Sequence, residues 1–71
     1  MKAYYDKEVD VLLIKINNNK PDYGEDIGEG IILHFDKNKT PVEIEILDGK
    51  KYLVNWIEQA LEVKDKPKIA V

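Results

Sequence analysis

The 71-residue chain has no cysteine, no arginine and no serine, and only one histidine and one threonine. Those absences remove the usual nucleophiles, the soft metal ligands and the planar guanidinium fork that grips phosphate. Without cysteine there is neither a disulfide nor a Cys/His zinc cluster to staple a small fold. Nor does any apolar run approach the ~20 residues a spanning helix needs, and no signal-like stretch follows Met1. A cytoplasmic protein away from membranes is expected. With a net charge of −3, the chain works against the counterion release that drives nucleic-acid binding, so no nucleic-acid partner is expected. The densest positive patch, Lys64-Asp65-Lys66-Pro67-Lys68, reads as a solvated tail.

What is present is aliphatic and charged: Lys, Asp and Glu make up 35% of the residues. A Lys/Ile/Glu-rich chain poor in Gln, Cys and Met is compatible with a thermophile. Seventy-one residues give room for a single domain, 1–71. Such a chain buries only about 60% of its unfolded surface, and with no staple available, self-association is an expected stabiliser.

The hydropathy pattern predicts strands over about 2–5, 9–16, 31–36 and 41–47, a helix over about 50–63, and a tail over 64–71 that is either a last strand or frayed. Residues Val9 to Ile16 are apolar on both faces of a strand, since successive side chains alternate. Tyr23 to Glu29 is ambiguous, with Gly24, Gly28 and Gly30 marking bends around a short irregular or edge strand. Asp36-Lys37-Asn38-Lys39 makes a hairpin turn in which Asn38 is best suited to a left-handed conformation. Val42, Ile44 and Ile46 alternate with Glu43 and Glu45, the clearest strand signal in the chain. From Asp48 the period changes: Tyr52, Leu53, Trp56, Ile57, Ala60 and Leu61 form a wide stripe on a helix, with Asp48 as its cap. The expected fold is α+β, a small antiparallel meander with one C-terminal amphipathic helix packed on one face. In it the 9–16 strand is central with the 31–36/41–47 hairpin beside it, and the order is antiparallel, because parallel strands would need longer crossovers than the chain has. The uncovered face of the 9–16 strand argues for a dimer, with Leu12, Ile14 and Ile32 on that face, or Trp56 on the helix, as interface residues.

Each cluster with chemical potential has a plainer structural explanation. His34 and Asp36 share a strand face, and a carboxylate can orient an imidazole for a metal or for proton transfer. Glu43 and Glu45 lie across the hairpin and complete the best metal candidate. The plain explanation, an exposed histidine, a turn aspartate and a solvated glutamate pair, is preferred. Asp6, Glu8 and Asp10 could share acid and base roles as glycosidase carboxylates do, but 71 residues leave little material for a cleft. The segment Gly24 to Gly30 has the glycine density of a phosphate loop without its Lys and Ser/Thr. Tyr4, Tyr5, Tyr23, Tyr52 and Trp56 could stack on bases, yet they lack basic neighbours and read as core. No catalytic residue, cofactor or metal site is expected.

Three stretches carry a family resemblance: Tyr5-Asp6-Lys7-Glu8-Val9-Asp10-Val11-Leu12-Leu13-Ile14, then Gly28-Glu29-Gly30-Ile31-Ile32-Leu33-His34-Phe35-Asp36, then Val42-Glu43-Ile44-Glu45-Ile46-Leu47-Asp48. In order and spacing they resemble domain-of-unknown-function family 2283, small bacterial and archaeal proteins, over roughly residues 2–50. The resemblance implies a small antiparallel sheet with a helix and no assigned activity. It also implies an aspartate or asparagine where this chain has His34, which argues against a catalytic role there. The functional expectation is a non-enzymatic domain that acts by self-association or by binding another protein. The alternatives are an antitoxin-like partner that masks a small basic protein and a metal-dependent module built on His34 and its carboxylate neighbours.

Overall fold

The structure is a computed structural model that describes residues 1–64. Five strands, β1 (Lys2–Asp6), β2 (Val11–Lys15), β3 (Tyr23–Gly28), β4 (Ile31–Phe35) and β5 (Pro41–Leu47), precede one helix, α1 (Gly49–Lys64). All pairings are antiparallel and the sheet order is β1-β2-β5-β4-β3. The protein is therefore an α+β fold with an antiparallel sheet and a C-terminal helix. A β3-β4-β5 meander docks through β5 onto the β1-β2 hairpin. Central place falls to β5, the strand with the strictest alternation, and β2 lies between it and β1.

Turn chemistry explains where the strands stop. Asp10 has φ 57°, which breaks the extended run expected from Val9, so β2 begins at Val11 and Val9 is exposed in the turn. Between β3 and β4 only Glu29 and Gly30 intervene, with φ of 49° and 85°. Positive φ at both positions suits a two-residue primed hairpin turn, and Tyr23–Gly28 is an edge strand because it pairs only with β4. Asp36 organises the β4-β5 turn: its Oδ1 accepts from the amides of Asn38 and Thr40, at 2.8 and 2.9 Å. The left-handed residue there is Lys39, φ 65°, and not Asn38, because these two bonds set the turn's geometry. The 16–22 loop runs along the same end of the sheet. It is tied down where Asn17 Nδ2 donates to the Pro41 carbonyl and Asn19 Nδ2 to Asp36 Oδ2, both at 3.0 Å.

Cross-strand register sorts the side chains. Leu12 opposes Ile46, Ile14 opposes Ile44, and on the next strand Ile31 and Leu33 oppose Ile46 and Ile44. Directly opposed residues share a face, so these residues form the helix-side face, where the core of Leu12, Val42 and Ile46 is buried. The far face carries Val11 and Leu13 opposite Leu47 and Glu45, with Ile32 opposite Glu45 and His34 opposite Glu43. Both faces of β2 are apolar, as the sequence requires. The grouping of Leu12 and Ile14 with Ile32 does not hold, because register places Ile32 on the opposite side.

Candidate interaction surface

The helix starts where the β1-β2 turn reaches over it. Asp10 Oδ1 accepts from the Lys50 amide at 2.8 Å and from the Tyr5 hydroxyl at 2.7 Å. The Asp10 carbonyl accepts from the Gly49 amide at 2.9 Å. Orphan amides at a helix start need such acceptors. The cap is therefore Asp10, forty residues away, and not Asp48, which sits at φ 54° and offers only its carbonyl, to Lys51 at 3.2 Å. The Tyr5 hydrogen bond, then the Lys50 amide, hold the Asp10 carboxyl below the ordinary carboxylate range. The same hydrogen bond raises the Tyr5 phenol. A second anchor is the Tyr52 hydroxyl, which donates to the Glu29 carbonyl at 2.8 Å.

Beyond this first turn the helix leaves the sheet. Its contacts with the strands are concentrated at β2. Tyr52 and Leu53 are half-buried, whereas every residue from Val54 to Glu62 is exposed. Ile57 keeps 57% of its surface and Leu61 60%, and Val54 and Trp56 are also open to solvent. The radius of gyration, 15.4 Å, exceeds the roughly 11 Å of a compact chain of this length, as a projecting helix requires. Of the interface residues expected from sequence, Trp56 is available. Leu12 is not, because it is buried under Gly49. Ile14 and Ile32 are half-buried on opposite faces.

The far face holds the other chemical candidates. His34 Nε2 meets Glu45 Oε1 at 2.9 Å, diagonally across the β4-β5 ladder. The ring is half-buried rather than freely solvated. It lies over Gly24, where an added Cβ would come within 2.9 Å of Nδ1. Tyr4, Asp6, Val9, Val11 and Leu13 border the same shallow hollow with Glu43. Asp36 is not part of it: the carboxylate is buried in its own turn. The Thr40 amide first, then those from Asn38 and Asn19, keep its carboxyl low against the opposing effect of burial. Glu45, not Asp36, is thus the partner that orients His34. The carboxylates of Asp6, Glu8 and Asp10 are dispersed, Asp6 accepting from the Glu8 amide at 3.0 Å and Asp10 capping the helix. Among the described residues no three His, Asp or Glu side chains converge to hold a metal ion, and no helix is long and apolar enough to cross a membrane. The Gly24–Gly30 segment serves as an edge strand and its hairpin turn.

Sequence reasoning missed the Asp10 cap and the Gly24 platform. The cap had one available signal, a turn aspartate beside a strand tyrosine, but nothing local links it to residue 50. The suggestion of a last strand at 69–71 falls on residues outside the described part of the chain.

A small five-stranded antiparallel sheet with a projecting C-terminal helix defines the class. The chain belongs to the family "Protein of unknown function (DUF2283)", which matches residues 2–50. The match ends at the first turn of α1, so the exposed part of the helix lies beyond it. No curated protein and no solved structure matches the chain.

Proposed function

We propose that this protein is a non-enzymatic association module whose working surface is the exposed half of α1. The observation that carries this reading is the open apolar row of Val54, Ile57 and Leu61 on a helix held to its own sheet by one turn, with Trp56 also open to solvent on another side of the helix, beside Tyr52. An amphipathic helix draws most of its stability from burying its apolar face, and here that face meets solvent. Contiguous exposed apolar side chains on a small protein mark a contact surface. The reading keeps the cytoplasmic location expected from the sequence. The Asp36 carboxylate is taken up by its own turn, which removes it from any pair with His34.

The test is sedimentation equilibrium with Ile57→Lys beside the wild type. Association that is lost in Ile57→Lys, with the circular dichroism of the sheet intact, supports the reading. A complex that forms equally well with Ile57→Lys shows that the helix is not the surface.

A further inference from the structure

We infer that the free edge of β1 pairs with the β1 of a second copy, antiparallel about a twofold axis at Tyr4, joining two sheets into one. This contact is separate from α1 and does not depend on the reading of that helix. Among the described residues β1 pairs only with β2, and all five of its residues are exposed. Its backbone groups divide between the two sides. The Ile16 amide donates to the Val42 carbonyl at 2.7 Å, and hydrogen-bonded and non-hydrogen-bonded pairs alternate along an antiparallel ladder. Ile16, Ile14 and Leu12 therefore bond to β5, while Lys15, Leu13 and Val11 bond to Lys2, Tyr4 and Asp6. The amides and carbonyls of Ala3 and Tyr5 point out of the sheet. Such a row is a template for another strand. The helix leaves it clear, because Tyr52 anchors α1 on the Glu29 carbonyl, toward β4 and away from β1.

The side chains select the occupant and the register. With Tyr4 on the axis, Ala3 and Tyr5 of one copy exchange hydrogen bonds with Tyr5 and Ala3 of the other. Tyr4 meets Tyr4 of the second copy in a non-hydrogen-bonded pair, where opposed side chains come closest. Lys2 meets Asp6 of the second copy, twice by symmetry. Within its own chain Lys2 faces Lys15, a like charge, and Asp6 faces Val11, so the contact gives each a counter-charge. A register shifted by two residues sets Lys2 or Asp6 opposite Tyr4 instead, and a parallel pair sets lysine by lysine. Lys7, which would follow opposite Met1, has left the ladder for the β1-β2 turn. The edge at β3 is guarded against the same pairing. It carries an irregularity between Asp26 and Gly28, and two antiparallel copies would bring its adjacent acids, Glu25 and Asp26, together.

The test follows the full chain by sedimentation equilibrium, with the β1 variants built on Ile57→Lys so that any contact through α1 is silenced. A five-residue edge is a small contact, so the expected dissociation constant of Ile57→Lys is on the order of 100 µM. Adding Lys2→Glu turns two attractive pairs into two repulsive ones and should raise that constant about tenfold. Adding Ala3→Pro removes a donor that the monomer's own ladder does not use and should abolish the dimer. Tyr4→Cys, in a chain with no other cysteine, should oxidise to a covalent dimer, and Tyr23→Cys on β3 should not. Opposed Cα atoms at a non-hydrogen-bonded pair stand about 4.5 Å apart, within reach of a disulfide. Should proline unfold β1, Lys2→Glu and Tyr4→Cys still decide. An Ile57→Lys chain that stays monomeric at about 1 mM overturns the inference and leaves α1 untouched. A dimer that neither Lys2→Glu nor Ala3→Pro weakens overturns it as well, as does a monomer whose Ala3 and Tyr5 amides are protected from exchange, since the edge is then covered within one chain. A dimer equally strong in wild type and Ile57→Lys, but weakened by Lys2→Glu, supports the edge and removes the helix.

Discussion

Leu12→Ala and Ile57→Ala remove similar amounts of hydrocarbon from two aliphatic residues, and the structure assigns them opposite consequences. Leu12 keeps 6% of its surface and Ile57 keeps 57%. Truncating leucine to alanine removes three carbons, worth about 0.8 kcal/mol each when buried, or about 2.4 kcal/mol. Leu12 is wedged between its cross-strand neighbours and Gly49, whose position a Cβ would share within 3.1 Å of the Leu12 Cβ. Backbone on that side limits collapse, so a residual cavity brings the cost to about 3 kcal/mol. For a domain of this size that lowers Tm by roughly 12–24 °C. Ile57→Ala in the dilute monomer should cost less than about 0.5 kcal/mol, the scale of an ordinary surface position. At high concentration it should differ: under the association proposed for α1, the wild-type Tm should rise with concentration, and Ile57→Ala should flatten that rise. Thermal and urea unfolding followed by circular dichroism, at low and high micromolar concentration, measures both effects. If Ile57→Ala destabilises the dilute protein as much as Leu12→Ala does, the helix packs on its own sheet in solution and the reasoning fails.

Two further perturbations probe the helix junction and the turns. In an ordinary helix Gly49→Ala would stabilise by up to about 1 kcal/mol. Here the new Cβ would stand 3.0 Å from the Leu12 backbone nitrogen, so the sign should reverse and Tm should fall; a higher Tm would show that the junction is looser than the geometry states. Asp10 and Asp36 both have carboxyls held below their ordinary value by hydrogen bonds. Their contribution to stability is therefore present above the unfolded value of about 3.9 and lost as pH falls through the lower folded values. Urea midpoints should hold steady from neutrality to about pH 5 and drop below about pH 4. Asp10→Asn/Asp36→Asn should lose stability at neutral pH and show a shallower acid drop, and an unchanged drop would assign the acid sensitivity to other groups.

Local residue chemistry determined the strand-rich N-terminal part, the helix after Asp48 and the bends at the glycines, because alternation, helical period and turn propensity act over a few neighbours. Val42 to Leu47 is the clearest case: Val42 and Ile46 are buried and Ile44 half-buried, on the pattern their spacing sets. The same locality made Glu43 and Glu45 legible as a pair facing away from the core. Tertiary structure decided what depends on residues distant in sequence. Strand order put β5 at the centre and split Ile32 from Leu12 and Ile14, since register depends on which strand pairs with which. It gave His34 to Glu45 and turned Asp36 into a loop anchor, because two residues sharing a strand face still choose partners by what lies across the ladder. It replaced Asp48 with Asp10 as the helix cap across forty residues. Above all it set the helix on one turn of contact. A stripe in sequence says that a helix must bury a face, but whether its own sheet has room to cover that face is fixed by strand lengths and by the angle at which Asp10 and Gly49 launch it.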